Sequence, residues 1–217
     1  MQIHYISENN SILNHFLSQI RDVTIQKDSM RFRKNVERIG EIMAYELSKN
    51  LQYKEIEVQT PLGIKHTTAV SDDIVLCSIL RAGLALHSGF MNVFDSAENG
   101  FISAYRHHPN NDESFEILVE YQAVPSLENK VLILIDPMLA TGHSIEAVLR
   151  KLHLEQKPKE IHVVVVVAAP EGIAHLENHL PAESHLWIGS IDEKLNEKKY
   201  IVPGLGDAGD LAYGVKL

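Results

Sequence analysis

Apolar residues along this 217-residue chain fall into two patterns that alternate. Val131-Leu-Ile-Leu-Ile135, Ile74-Val-Leu-Cys-Ser-Ile-Leu80 and residues 161–169 are nearly unbroken runs, rich in β-branched side chains. Runs of this kind are expected of strands covered on both faces in a parallel sheet. After the first two, the period changes. Ile145, Val148, Leu149 and Leu152 fall at i, i+3, i+4 and i+7, and Leu84, Leu86, Phe90 and Phe94 recur on a helical face, so each strand feeds a helix. Residues 101–105 and 186–191 read as further strands, and residues 115–124 alternate up to Pro125. The succession predicts an α/β fold with an open, mainly parallel sheet flanked by helices and right-handed crossovers.

The N-terminal part reads as two helices within residues 10–51. In the second, Phe32, Val36, Ile39, Met43 and Leu47 step at three and four residues, with Asp28 or Ser29 as its cap. The opposite face carries Arg31, Arg33, Lys34, Glu37, Arg38 and Glu41, a solvated surface or a subunit contact. Residues 55–60 and 64–69, joined by Pro61-Leu62-Gly63, read as a hairpin outside the main sheet.

Candidate chemistry gathers where strands end. The run to Ile135 delivers Asp136, and Pro137-Met138-Leu139-Ala140 leads into Thr141-Gly142-His143-Ser144 at the mouth of a helix. The first N–H groups of a helix lack internal partners and sit in the positive end of its dipole. Together with the hydroxyls of Thr141 and Ser144 they make an anion site suited to phosphate. No Gly-Lys-Ser/Thr follows the strand, so this is not a Walker loop. Arg81 stands at the end of a second strand, where it faces the same crevice as Asp136. Arg106 ends a third and opens the polar run 106–114, a loop that is either a lid or a plain hairpin tip. Near the C-terminus, Tyr200-Ile201-Val202-Pro203-Gly204-Leu205-Gly206-Asp207-Ala208-Gly209-Asp210 predicts a stiff irregular path that presents backbone groups to a flat polar ligand.

Composition narrows the classes. A formal net charge of −9 argues against a protein whose main business is nucleic-acid binding. Cys77 is the only cysteine and lies in an apolar run, so it is expected to be buried and inert, in a reducing compartment. No run approaches the ~20 residues of a membrane span and no leader is evident, so a cytoplasmic protein with no membrane partner is expected. Twelve histidines are many, yet His107-His108 is the only adjacent pair and no His-Glu-x-x-His occurs. Spacing therefore gives no ground for a protein-ligated zinc site.

The 131–144 stretch resembles the loop by which type I phosphoribosyltransferases grip 5-phosphoribosyl 1-diphosphate. The wording Asp136-Pro137-Met138-Leu139-Ala140-Thr141-Gly142 is similar to that of uracil phosphoribosyltransferases. So are Ile79-Leu80-Arg81-Ala82-Gly83-Leu84 and Pro203-Gly204-Leu205-Gly206-Asp207-Ala208-Gly209-Asp210, in that order. The chain departs from the family at Ser78, usually Pro, at His143, usually Gly, and at Ala123, often Lys.

The resemblance implies one phosphoribosyltransferase domain over residues 1–217, with a hairpin at 55–69, a core sheet at 74–191 and a base-binding loop at 200–210. It implies that uracil and 5-phosphoribosyl 1-diphosphate give UMP and diphosphate. It assigns Arg81 and Arg106 to the diphosphate, residues 136–144 to the ribose and 5′-phosphate, and Ile201 and Gly206 to Ala208 to uracil. Asp207 is placed near the ribose and the metal, with Mg²⁺ held mainly through substrate. A GTP effector and a homo-oligomer, dimer or higher, also follow from it. Two rivals are a phosphoribosyltransferase for another base, which would lack the C-terminal loop, and a non-catalytic RNA-binding regulator, which would show a basic face.

Overall fold

The computed structural model describes residues 1–107 and 116–216, with the side chains of residues 105–107, 116–118 and 153–155 outside the description. The polar loop expected after Arg106 thus falls, from residue 108 on, outside the described residues. The chain opens with β1 (Gln2–Tyr5), α1 (Ile12–Arg21) and α2 (Ser29–Ser48), followed by β2 (Tyr53–Thr60), β3 (Gly63–Val70), β4 (Ile74–Leu80) and α3 (Leu84–Met91). Next come β5 (Glu98–His107), β6 (Glu116–Ala123), β7 (Val131–Ile135), β8 (Met138–Leu139), α4 (His143–Glu155) and β9 (Glu160–Ala168). The last elements are α5 (Pro170–His179), β10 (His185–Ile191), β11 (Lys194–Leu195), β12 (Ile201–Val202) and α6 (Ala208–Tyr213).

The main sheet has the order β1-β10-β9-β7-β4-β5-β6, with β8 pairing to β9. All its pairs are parallel except β5 with β6. The expected hairpin, β2 with β3, forms its own two-stranded sheet. Alternate residues of the central strands feed two cores. Leu76, Ile133 and Val166 pack with α1, α2 and α3, whereas Val75, Leu134 and Val163 pack with Val148 and Leu152 of α4 and Leu176 of α5. This two-sided burial is why those strands read as unbroken apolar runs.

The apolar stripe of α2 is buried from Phe32 to Leu47, and Asp28 caps the helix by accepting from the Arg31 N–H at 3.1 Å. Its charged face is more engaged than a solvated one. Arg33 donates to the carbonyl of Ala212 at 2.6 Å, and Arg38 lies over the Phe16 ring. Cys77 is fully buried, and burial pushes its thiol up to about 12, as an inert core cysteine requires. No helix among the described residues is long and apolar enough to cross a membrane.

Two features differ from the sequence reading. β1 extends the sheet beyond β10, but Gln2-Ile-His-Tyr5 is an edge strand with mostly exposed residues, so it leaves no apolar run to read. The stretch 200–210 is not wholly irregular. Ile201–Val202 pairs with Lys194–Leu195, and α6 starts where Asp207 accepts from the Asp210 N–H at 2.9 Å. An Asp followed by small residues is a helix start as well as a turn.

Candidate active site

β4 continues through α3 to β5 on one side, and β7 through α4 to β9 on the other, with α3 and α4 on opposite faces of the sheet. The order of strands therefore reverses between β4 and β7, the place where open α/β sheets bind ligands beyond their carboxyl ends. A cleft of about 660 Å³ lies there. Arg81, one residue past β4, and Asp136, one past β7, both line it.

Asp136 is held by the turn it begins. Its Oδ1 accepts from the Met138 N–H at 3.2 Å, and desolvation lifts the carboxyl to about 7 despite that bond. The Pro137 carbonyl accepts from the N–H groups of Val166 and Val167, both at 3.0 Å, which ties the turn to β9. Gly142 then takes φ 84° as the N-cap of α4. A Cβ there would lie 2.9 Å from His175 Cδ2 and 3.2 Å from the Gly172 carbonyl, so the position needs glycine for both conformation and space. His143 is not among the residues of positive φ, so the family's usual glycine is dispensable at that position. Met138, Ala140 and Ser144 line the cleft with Asp136, while Pro137, Leu139 and Gly142 are buried behind it. Thr141 and His143 are not part of the lining, and the His143 ring stacks on His175 at 4.4 Å.

Arg81 follows a cis Leu80–Arg81 peptide. Its Nη2 donates to Asp210 Oδ1 at 3.0 Å and to the Gly214 carbonyl at 3.1 Å, while its buried Nε has no partner. The guanidinium thus bridges the β4 end to α6. Ser78, fully buried, packs against the same turn so closely that its Oγ leaves no room for a Cβ on Gly83. Arg106 lies on β5 opposite Ile117, and its side chain is outside the described residues.

The C-terminal segment forms the opposite wall, with Ile201, Gly206, Asp207, Ala208 and Gly209 in the lining. Val202–Pro203 is cis and Gly204 has φ 61°. Two residues that the sequence reading missed hold this segment. Asp192 accepts from the Gly204 N–H at 2.7 Å, and Arg21 donates to the Gly204 carbonyl at 2.9 Å. Arg21 and Asp192 pair with each other at 2.6 and 2.8 Å. Also unforeseen are the lysines of the lining, Lys198, Lys199 and Lys216. The adjacent pair Lys198-Lys199, just before the Tyr200 stretch, was the available signal. With Arg81 they place four cationic groups around the cleft against the carboxylates of Asp136 and Asp207, in a chain of formal net charge −9.

The uracil phosphoribosyltransferase family model matches residues 7–215. A uracil phosphoribosyltransferase of Porphyromonas gingivalis is 46% identical over 217 residues, covering 100% of both chains. One of Thermococcus gammatolerans is 38% identical over 216 residues, covering 98% of this chain and 94% of its own. A solved structure of a protein from Aquifex aeolicus, 34% identical, superposes with a TM-score of 0.87 over 100% of both chains. A hypoxanthine phosphoribosyltransferase structure from Staphylococcus aureus, 15% identical, covers 91% of this chain and 94% of its own with a TM-score of 0.52, a likeness of fold alone. Three motifs converging on one cleft and a family match over nearly the whole chain agree: the chain belongs to the uracil phosphoribosyltransferase family.

Proposed function

We propose that uracil and 5-phosphoribosyl 1-diphosphate react in this cleft to give UMP and diphosphate. The observation that carries this reading is a locally cationic cleft that joins a helix N-terminus, on one wall, to the glycine-rich C-terminal segment that presents Ile201 and Gly206 to Gly209 on the other. A substrate with a phosphate at one end and a flat base at the other fits that pairing.

In the proposed arrangement the 5′-phosphate accepts from the N–H groups that open α4, with Ser144 Oγ adding a hydroxyl. Asp136 accepts from the ribose hydroxyls. Arg81 and Arg106 take the diphosphate, with Lys198, Lys199 and Lys216 adding positive field around it. The backbone from Ile201 to Ala208 pairs with the polar edge of uracil and sets N1 against C1′. As the C1′–O bond to diphosphate breaks, N1 forms its bond to the same carbon and its proton leaves. The work of the chain is positioning and charge stabilisation, and no covalent nucleophile is required.

Asp136 and Asp207, the carboxylates of the cleft, fit a hard cation that keeps waters and binds chiefly through substrate phosphates. Mg²⁺ bound there would supply positive charge to the diphosphate. Asp207 offers one oxygen for this, because Oδ1 is occupied in capping α6. We extend the proposal to a cytoplasmic homo-oligomer, dimer or higher, with GTP as an effector, on the family resemblance alone.

A panel of bases assayed with phosphoribosyl diphosphate and Mg²⁺ tests the reading. Uracil should turn over, and cytosine, hypoxanthine and guanine should not, since fixed donors and acceptors reject a base that leaves them unpaired by ~10⁴-fold in favourable cases. Equal rates with a purine would remove the uracil assignment.

A further inference from the structure

Among the described residues, two groups of Glu and His bring one ligand atom each to within 4.8 Å of one another. One is Glu160 with His162 and His185, and the other is Glu146 with His175 and His179.

In the first group His162 has no lone pair to offer a metal. Trp187 Nε1, which can only donate, gives its proton to His162 Nδ1 at 3.0 Å. His162 Nε2 therefore carries the ring proton; it lies 3.0 Å from Glu160 Oε1 but is buried without a hydrogen-bond partner. His185 Nε2 faces the same oxygen at 3.1 Å, and its Nδ1 meets His4 Nε2 at 3.0 Å. Burial, aided by His185 and His4, pushes the His162 imidazole down to about 3, so this imidazole is neutral and its one lone pair is taken by the Trp187 N–H.

The second group is open to solvent and arranged differently. His175 and His179 lie one turn apart on α5, and Glu146 lies in the first turn of α4. His179 Nδ1 is 2.7 Å from the His175 carbonyl, which can only accept. The ring proton is thus on Nδ1, and Nε2 presents a lone pair. Metal-ligating histidines are fixed by this same kind of bond from the other ring nitrogen. His175 Nε2 points at Glu146 Oε2, 2.8 Å away, and the two rings stack with centroids 4.1 Å apart.

We propose that Glu146, His175 and His179 bind a divalent transition metal such as Zn²⁺, joining α4 to α5 and leaving a coordination position for water. Two imidazoles and a carboxylate form a donor set of zinc sites with an open position, and imidazole favours such metals over Mg²⁺. On binding, the metal replaces the proton between His175 Nε2 and Glu146; that proton shifts to Nδ1 or leaves to solvent. The site lies behind the turn at Gly142, against which His175 packs. Its ligands come from two helices, 29 residues apart for Glu146 and His175, so no sequence motif announces it.

Calorimetric titration of the full chain with Zn²⁺ alone, in millimolar Mg²⁺, tests this without reference to activity. One Zn²⁺ per chain should bind, at least about tenfold more weakly to His179→Gln, and as in wild type to His185→Asn. His179 is exposed, so its variant should fold. At a hundredfold excess of Zn²⁺ over Kd, the melting temperature of wild type should rise by about 5 to 10 °C, with little rise in His179→Gln. Absence of saturable binding to wild type, equal binding to His179→Gln, or loss of binding in His185→Asn would each overturn the proposal.

Discussion

Arg21 and Asp192, 171 residues apart, meet through two hydrogen bonds of 2.8 and 2.6 Å and together occupy both backbone polar groups of Gly204. The Asp192 side chain is only 4% exposed. The pair therefore fixes the path of the proposed base-binding segment from outside that segment, at the junction of α1 with the end of β10.

Arg21→Ala should strand a buried carboxylate beside Gly204. A cost of about 3 kcal/mol in stability is expected, toward the low end for a broken buried pair because Arg21 keeps 21% exposure. The KM for uracil should rise more than that for phosphoribosyl diphosphate. Chemical denaturation together with both kinetic constants checks this, and a variant with wild-type uracil KM would contradict it.

Asp207 has a structural task that the sequence did not reveal, the capping of α6. Asn caps as well as Asp, so Asp207→Asn removes the charge and keeps the helix start. Turnover should fall on the order of 10²-fold with melting temperature nearly unchanged. Asp207→Ala should lose about 1 kcal/mol in addition, since it removes the cap. Full turnover in Asp207→Asn would assign the carboxylate to capping alone.

Asp136 carries a stability cost. The unfolded chain releases this proton near 3.8, but the folded chain holds it to about 7. Between these values the folded state binds the extra proton, so stability falls as pH rises, and the loss is complete above about 7. Asp136→Asn should therefore melt higher than wild type at pH 8, with the difference shrinking as pH falls toward 4. The same variant should use phosphoribosyl diphosphate poorly. Melting curves for both proteins across that range check the sign, and a constant difference would show that Asp136 is not desolvated.

Arg106→Ala should weaken phosphoribosyl diphosphate use by ~1.5 to 3 kcal/mol and leave uracil binding near wild type, if its charge-assisted contact is to the diphosphate. Steady-state constants for both substrates decide it, and unchanged constants would free Arg106 from that role.

What the sequence made legible follows from periodicity and strand ends. The bounds of β4 and β7 match their apolar runs, Ile74 to Leu80 and Val131 to Ile135. Strand-end logic also brought Arg81 and Asp136 to one cleft. Features resting on single polar contacts across long separations were not legible. Arg21 with Asp192, Arg81 with Asp210 and Arg33 with Ala212 join residues more than a hundred positions apart, and no local pattern encodes such pairs. The edge strand β1 was missed for a related reason, because its pairing with β10 is backbone and its side chains carry no apolar period.

The most direct test of the central claim is a crystal structure of the chain with UMP bound. The 5′-phosphate should lie on the N–H groups that open α4 beside Ser144, the ribose on Asp136, and the uracil ring against the backbone from Ile201 to Ala208. UMP seated away from the cleft between β4 and β7, or bound there with its base at α4 and its phosphate at the C-terminal segment, would contradict the account.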